Sequence, residues 1–460
     1  MEKIELPENW TVATLGSVSA HFESGRRPRG GVAKIKEGVL SLGGEHLHPD
    51  GTISMKNPKF VPEEFADILE HVRVKLNDIL IVKDGATTGK TSLASSEFVD
   101  SVINEHLFQL RPVDGIESKF LFFFLWSSVG NDRIMKDFRG TAQGGITKSV
   151  LEVCDVPIAP TNEQHRIVEK IEKLFTGLDK GEEKIRKAHK LLSHYRQSIL
   201  KDAFAGRLVP QDPEDEPASE LLASIQKTRP SGAANTDDME EGVELPPGWV
   251  LCKLGEVAEL KYGKPLPTKK RNPKGKIPVY GSNGCVGYHT KALTDGPCIV
   301  VGRKGSAGAV VFSNESCWPI DTTYFINPRI KIEFRFLYFL LKSLQLESLD
   351  RSTAIPGLNR EDVYASNILL PPFKEQCRIV AKIEMLFAQV DKLEEEIENA
   401  QKLTVHSRQS ILKSAFTGNL VPQDINDEPA NELLARIQKD NSVTNRKTQS
   451  KAKKQKTHRR

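Results

Sequence analysis

Residues 163–180 read EQHRIVEKIEKLFTGLDK, and residues 375–392 read EQCRIVAKIEMLFAQVDK. The offset of 212 continues downstream. Residues 194–227, HYRQSILKDAFAGRLVPQDPEDEPASELLASIQK, return at 406–439 as HSRQSILKSAFTGNLVPQDINDEPANELLARIQK. A shorter pair precedes them: LPENWTVATLGSV at 6–18 and LPPGWVLCKLGEV at 245–257. The chain is therefore an internal duplication. Trp10 lies 153 residues before Glu163, but Trp249 lies only 126 before Glu375. One repeated frame carries two unequal, divergent modules.

Within the frame, apolar residues recur in alternating steps of four and three. The first copy has Ile167, Ile171, Leu174, Leu178, Ile185, Leu192, Tyr195 and Ile199. The second has Ile379, Ile383, Leu386, Val390, Leu393, Ile397 and Ile411. A sustained 3.5-residue period predicts a coiled-coil seam. Each helix would run about 40 residues, roughly 60 Å. A lone amphipathic helix of that length leaves its stripe wet, whereas two in one chain can cover each other. Gly206, followed by Arg-Leu-Val-Pro, and Gly418, followed by Asn-Leu-Val-Pro, are placed as helix stops.

The modules between mix short β-rich runs with Gly, Asn and Pro turns. Ile79–Val82 precedes Lys83-Asp84-Gly85, and Cys298–Val301 precedes Gly302-Arg303-Lys304-Gly305. Ile103–Phe108 aligns with Ile320–Phe325, and the aromatic helix at 119–123 aligns with 335–339. Those aromatics read as core, so the modules share a fold and differ in loops, where recognition is usually placed.

Net charge is only +4 and uneven. Residues 1–160 hold 18 basic and 22 acidic side chains; residues 244–370 hold 17 and 11. The last 20 residues hold eight basic and no acidic side chains. The loops carry Arg26, Arg27, Arg29, Lys34 and Lys36 in one module. In the other they carry Lys261, Lys264, Lys269, Lys270, Arg271, Lys274 and Lys276. Mobile cations on loops suit phosphate contacts.

Several chemistries are argued against. No apolar run reaches the ~18 residues of a membrane span, and the acidic N-terminus is no signal peptide. A cytoplasmic protein is the expectation. The six cysteines lack CxxC spacing, and Cys154, Cys252 and Cys377 face Ser366, Ala13 and His165 in the other copy. Gly85–Thr91 is one residue short of a phosphate loop, and its counterpart lacks the Gly-Lys-Thr ending. His46-Leu47-His48 has no partner at metal-ligand spacing. Leu370-Pro371-Pro372-Phe373 resembles an adenine-methyltransferase motif without its first polar residue. No catalytic residue and no metal site is assigned.

Four segments together resemble the specificity subunit of type I restriction–modification enzymes. They are Glu163-Gln164 with Arg166–Val168 and Lys170–Glu172; Arg196–Lys201 with Ala203-Phe204, Gly206 and Leu208-Val209; the second copies from Glu375 and Arg408; and Leu-Pro-x-x-Trp opening each half. Tyr280-Gly281-Ser282-Asn283-Gly284 fits the same pattern. The resemblance covers nearly the whole chain except the basic tail. It implies an α+β fold: two globular α/β target-recognition domains, separated by two long antiparallel coiled-coil helices, with pseudo-twofold internal symmetry. Each domain would read one half of a split, asymmetric site in double-stranded DNA. The helices would set the spacing and dock two modification subunits. Those subunits use S-adenosylmethionine to methylate adenine. Restriction subunits, with ATP and magnesium, would join them. This chain would bind none of these cofactors.

By equivalence of turns, DNA contacts are expected at Lys83, Thr87, Thr88 and Lys90 in the first module. Arg303, Lys304 and Ser306 are their counterparts in the second, with Ser282 and Asn283 beside them. The expected domains are a first recognition domain at 1–160, its helix at 161–206 and a turn, short helix and linker at 207–243. A second recognition domain follows at 244–372, then its helix at 373–418, a turn and short helix at 419–440 and a disordered basic tail at 441–460. The competing reading is a coiled-coil scaffold whose globular ends bind proteins, not DNA.

Overall fold

The computed structural model describes residues 6–140, 144–226, 245–349 and 357–439. The expected linker after residue 228 and the basic tail lie outside the described residues. Two helices of 44 residues, Thr161–Phe204 and Phe373–Phe416, are the longest elements. At ~1.5 Å per residue each is about 66 Å long. Both end where Gly206 and Gly418 take left-handed φ values of +69° and +74°, a conformation that glycine adopts without a Cβ penalty.

The chain forms two compact units. One combines the chain up to Lys184 with the chain from Ala400 onward, and the other is Ile185–Asn399. The long helices begin at Thr161 and Phe373. Each unit, however, also takes the end of the other copy's helix. In the first unit, Ile167, Val168, Ile171 and Phe175 share a core with Leu412, Ala415 and Phe416. In the second, Ile379, Val380, Ile383 and Val390 pack with Ile199 and Ala203. Fully burying a large apolar side chain contributes about 1.5–3 kcal/mol, so each module depends on residues from the opposite half of the sequence.

Inside each unit the helices run antiparallel. Arg408 pairs with Asp179 and Glu182 in the first, and Arg196 with Asp391 and Glu394 in the second. Each guanidinium also lies 5.2 Å from a ring centroid, Phe175 or Phe387. The two arginines occupy the same position of the repeat.

The expected seam needs correction. Leu393 is 46% exposed and Tyr195 48% exposed, while Leu174, Leu178, Ile185, Leu192, Leu386, Ile397 and Ile411 are only partly buried. A strict 3.5-residue stripe drifts about 20° per heptad on a straight helix. Burial is therefore deepest toward the helix ends, where a globular module supplies the opposing wall.

The modules have one topology. Each holds a four-stranded antiparallel sheet: Ser19–Ser24, Leu107–Pro112, Ile79–Val82 and Thr91–Leu93 in the first; Ala258–Tyr262, Thr323–Pro328, Cys298–Gly302 and Val310–Ser313 in the second. Each also has a three-stranded sheet with one parallel pair, and a two-stranded ribbon leading into its long helix. The aromatic helices Ser118–Trp126 and Phe334–Ser343 are core elements, and Phe120 and Phe336 are fully buried. Phe120 meets Phe416 and Phe336 meets Phe204, each ring from the far copy.

A joint of polar contacts closes each unit. Gln164 accepts the Glu117 N–H at 2.9 Å and donates to Ala159 O; Gln376 does the same with Glu333 and Pro371. Gln423 donates to Glu163 and Gln211 to Glu375. Arg166 Nη2 lies 2.6 Å from buried Asp427, and Arg378 Nη2 2.6 Å from buried Asp215. The Arg166 guanidinium holds the Asp427 carboxyl below its ordinary range.

Arg166→Ala is expected to cost the first unit about 2 kcal/mol, less than the ~3–5 of a fully buried pair because Arg166 is a third exposed. Protection from hydrogen exchange should fall in residues 6–140 and 430–439, and not in 245–349. Asp427→Asn should destabilise at pH 7. A depressed folded pKa stabilises above the unfolded value of ~3.9 and is lost as pH falls through the folded one. The gap to the parent chain in urea unfolding should therefore narrow below pH 4 and not near neutrality.

Candidate nucleic-acid interface

Strand register brings the candidate loops to one end of each four-stranded sheet. In the first module Ser24 pairs with Phe108 and Val82 with Leu107. The segments that follow Ser24 and Val82 therefore meet the segment that precedes Leu107. In the second module, Tyr262 pairs with Tyr324 and Gly302 with Thr323. Glycine is required at the crossing. A Cβ on Gly25 would sit 1.7 Å from Ile103 O, and one on Gly263 would sit 2.1 Å from Ile320 O.

This register corrects one alignment. Lys83 N–H donates to His106 O, and Arg303 N–H donates to Thr322 O. His106 thus matches Thr322 and Glu105 matches Asp321, one residue away from the pairing drawn on Ile103 and Ile320. In a strand a one-residue slip reverses the face of every side chain, and the hydrogen-bonded ladder decides it here.

Arg26, Arg27 and Arg29 are exposed, and Arg27 lies 3.7 Å from Glu105. Lys83 Nζ donates to Ser24 Oγ at 3.3 Å and sits 5.6 Å over the Phe108 ring. Thr87 is exposed, while Thr88 Oγ1 donates to Gly85 O and closes the turn. Lys90 is a correction: its ammonium turns inward and donates to Leu47 O at 3.0 Å. In the second module Lys264, Lys269, Lys270, Asn283, Lys304 and Ser306 are exposed. Arg271 is a correction, because its guanidinium braces Leu266 O and Val286 O. So is Ser282, whose hydroxyl is shared between Lys304 O and Thr322 O as a clip between turns. Arg303 donates to Asp321 O and lies 5.4 Å from the Tyr262 ring.

Sequence reasoning missed five residues at this sheet end: Asp84, Glu105 and His106 in the first module, Tyr262 and Arg360 in the second. His106 Nδ1 is 2.5 Å from Asp84 Oδ1, and its Nε2 is 3.4 Å from Glu105. Arg360 lies over the rings of Tyr262 and Tyr364. Their signal was adjacency to the basic candidates. A search for cations alone passes over acidic and aromatic neighbours.

The described residues hold no group of three or more His, Cys, Asp or Glu arranged for a metal. His46 is buried, and Nδ1 accepts the Gly43 N–H while Nε2 faces Asn57 O. Cys154 and Cys252 are buried, and burial pushes both thiols up to about 12. No helix among the described residues is long and apolar enough to cross a membrane.

The family model described as "Type I restriction modification DNA specificity domain" matches residues 7–188 and 246–402. The chain belongs to this family. Both matched segments begin at the Leu-Pro-x-x-Trp motif and run into a long helix, so the duplication is a duplication of the family's domain. The EcoKI specificity subunit of Escherichia coli K12 is 22% identical over 91% of both chains. The StySPI specificity subunit of Salmonella potsdam is 24% identical over 98% of this chain and all of its own length. Among solved structures, a chain from work on complex assembly and conformational transition of the type I R-M system covers 90% of this chain and 100% of its own. It has 19% identity and a TM-score of 0.63. The HsdS subunit from Thermoanaerobacter tengcongensis gives 20% identity and a TM-score of 0.54, covering 90% and 98%. The chain is a type I restriction–modification specificity subunit with the α+β, two-domain, internally duplicated fold.

Lys90→Ala is expected to lower stability by about 1 kcal/mol in urea unfolding, through loss of a charged hydrogen bond in a partly buried position.

Proposed function

We propose that this subunit reads an asymmetric, bipartite DNA site, one half with each recognition module. The two long helices set the spacing of the halves and dock two adenine-methyltransferase subunits. The chain serves both methylation and restriction and performs no catalysis itself. S-adenosylmethionine is bound by the modification subunits, and ATP and magnesium by restriction subunits that join the complex. The observation that carries the reading is the pair of like sheet ends with unlike loops. One scaffold, held by identical joints, presents Lys83, Asp84, Glu105 and His106 in one module. The other presents Arg303, Lys304, Asp321 and Thr322. Equal scaffolds with unequal surfaces suit two different half-sites, not a palindrome.

Phosphate contacts in this reading come from exposed loop cations, foremost Lys264, Lys269 and Lys270 and, in the first module, Arg26, Arg27 and Arg29. The first module is net acidic, so its contribution to affinity is local to that loop. Asn283 and Ser306 stand at turn tips, where neutral donors and acceptors can reach base edges.

Replacing residues 19–160 with the module of another specificity subunit should change one half of the methylated motif and leave the other half intact. Methylome sequencing with the partner subunits present reads this directly; an unchanged motif refutes the proposal. Lys264, Lys269 and Lys270 changed together to Ala should weaken binding to all sequences alike. The slope of log K against log salt should shrink by about 0.9 for each lysine that contacts a phosphate.

A further inference from the structure

The two modules place opposite chemistry at the same backbone positions. The pairs Lys83 N–H to His106 O and Arg303 N–H to Thr322 O are one ladder rung in two copies. Isolated bridges from Asp84 to Gly145 and from Lys304 to Gly357 show that the next residue is equivalent too. Position by position, Asp84 therefore stands where Lys304 stands, and His106 where Thr322 stands. In the first module the exposed pair is a carboxylate hydrogen-bonded to an imidazole. In the second, Lys304 is exposed and its backbone N–H donates to Thr322 O, while Arg303 and Arg360 lie over Tyr262.

The surroundings support the inversion. Asp84 is 37% exposed and His106 45% exposed, so both reach solvent at the sheet end. His106 engages only one carboxylate oxygen of Asp84 and leaves Oδ2 able to accept. Lys304 is exposed, and its carbonyl is pinned by Ser282, which fixes the direction of its backbone. Of the five enclosed polar atoms without a partner among the described residues, two lie at these sheet ends, Glu105 Oε2 in the first module and Arg360 Nε in the second. The first sheet end thus has an acceptor to spare and the second a donor. Orphaned polar groups cost free energy, and a bound base edge would supply such a partner.

Base edges differ by the same chemistry. Cytosine offers an amino donor in the major groove that a carboxylate accepts, whereas guanine offers O6 and N7 to Lys or Arg. We propose that Asp84, positioned by His106, reads the N4 amino group of a cytosine in the half-site of the first module. Lys304, with Arg303 and Arg360 behind it, reads a guanine in the half-site of the second. This inference rests on the proposed DNA-reading function and adds which residues choose which base.

The test uses the full chain with its modification subunits, S-adenosylmethionine and a randomised duplex library, read by methylation and by selection of bound DNA. Asp84→Asn exchanges a carboxylate for an amide, which pairs with adenine N6 and N7. It should move one C·G pair of one half-site toward A·T by about tenfold or more, with the other half unchanged. Lys304→Ala should relax one C·G pair in the opposite half by a similar factor. His106→Thr should blunt the choice made by Asp84 without changing its position in the motif. If a variant no longer methylates, the bound-DNA selection still reports base choice. Unchanged base choice in both Asp84→Asn and Lys304→Ala, or relaxation spread over both halves, overturns the inference while leaving the DNA-reading function intact. Absence of any selected motif with the unsubstituted chain overturns that function, and this inference with it.

Discussion

The architecture depends on one joint, made twice. A long helix begins with Glu-Gln-x-Arg. Its glutamate and arginine are held by the Val-Pro-Gln-Asp and Asp-Glu-Pro segment that follows the other helix. Gln423 on Glu163 and Asp427 on Arg166 make the joint in one unit; Gln211 on Glu375 and Asp215 on Arg378 make it in the other. The glycine stops take part. A Cβ on Gly418 would come within 2.2 Å of Pro7, and one on Gly206 within 2.4 Å of Pro246. Ala430 N–H then donates to Asn9 O, as Ala218 N–H does to Gly248 O. The Leu-Pro-x-x-Trp motif, the helix stop and the acidic turn are therefore three sides of one contact.

Electrostatics at the joint are balanced between two opposing effects. Burial raises the pKa of Glu163 and Glu375, because the charged form loses water. The ion pair with Arg166 pulls Asp427 the other way. A buried ion pair is a weak source of net stability but a strong penalty once broken. That asymmetry makes each joint intolerant of losing either partner of its ion pair.

The joint also explains why loops are free to diverge. The module core is tied down at the aromatic helix by Gln164 or Gln376 and by Phe416 or Phe204. The opposite end of the sheet carries the turns after Ser24, Val82, Tyr262 and Gly302. Changes of length and charge there leave the joint untouched. Substitution of Lys83 and Asp84 by Arg303 and Lys304 alters the presented charge while the backbone rung stays the same. Rigidity at one end and variability at the other are the division of labour that a reader of changing sequences needs.

Much of this was legible along the chain, because local signals carry it. The 212-residue repeat located both helices, period and glycine stops set their limits, and aromatic spacing marked the core helices. What escaped was long-range. The period predicts one even stripe, yet Leu393 is exposed while Phe175 and Phe416 are buried, because the opposing surface is a module for part of the helix. The loop candidates carry no sign of their partners in the sequence, yet Lys90, Arg271 and Ser282 are turned to backbone carbonyls in other turns. Asp84, His106 and Arg360 gained importance only when strand register set them against Lys304, Thr322 and Tyr262. The sequence by itself determined the repeat, the helices and the family. Only the tertiary structure decided which half of the chain completes which module and which side chains face outward, since the first follows from contacts between residues more than a hundred positions apart and the second from contacts between separate turns.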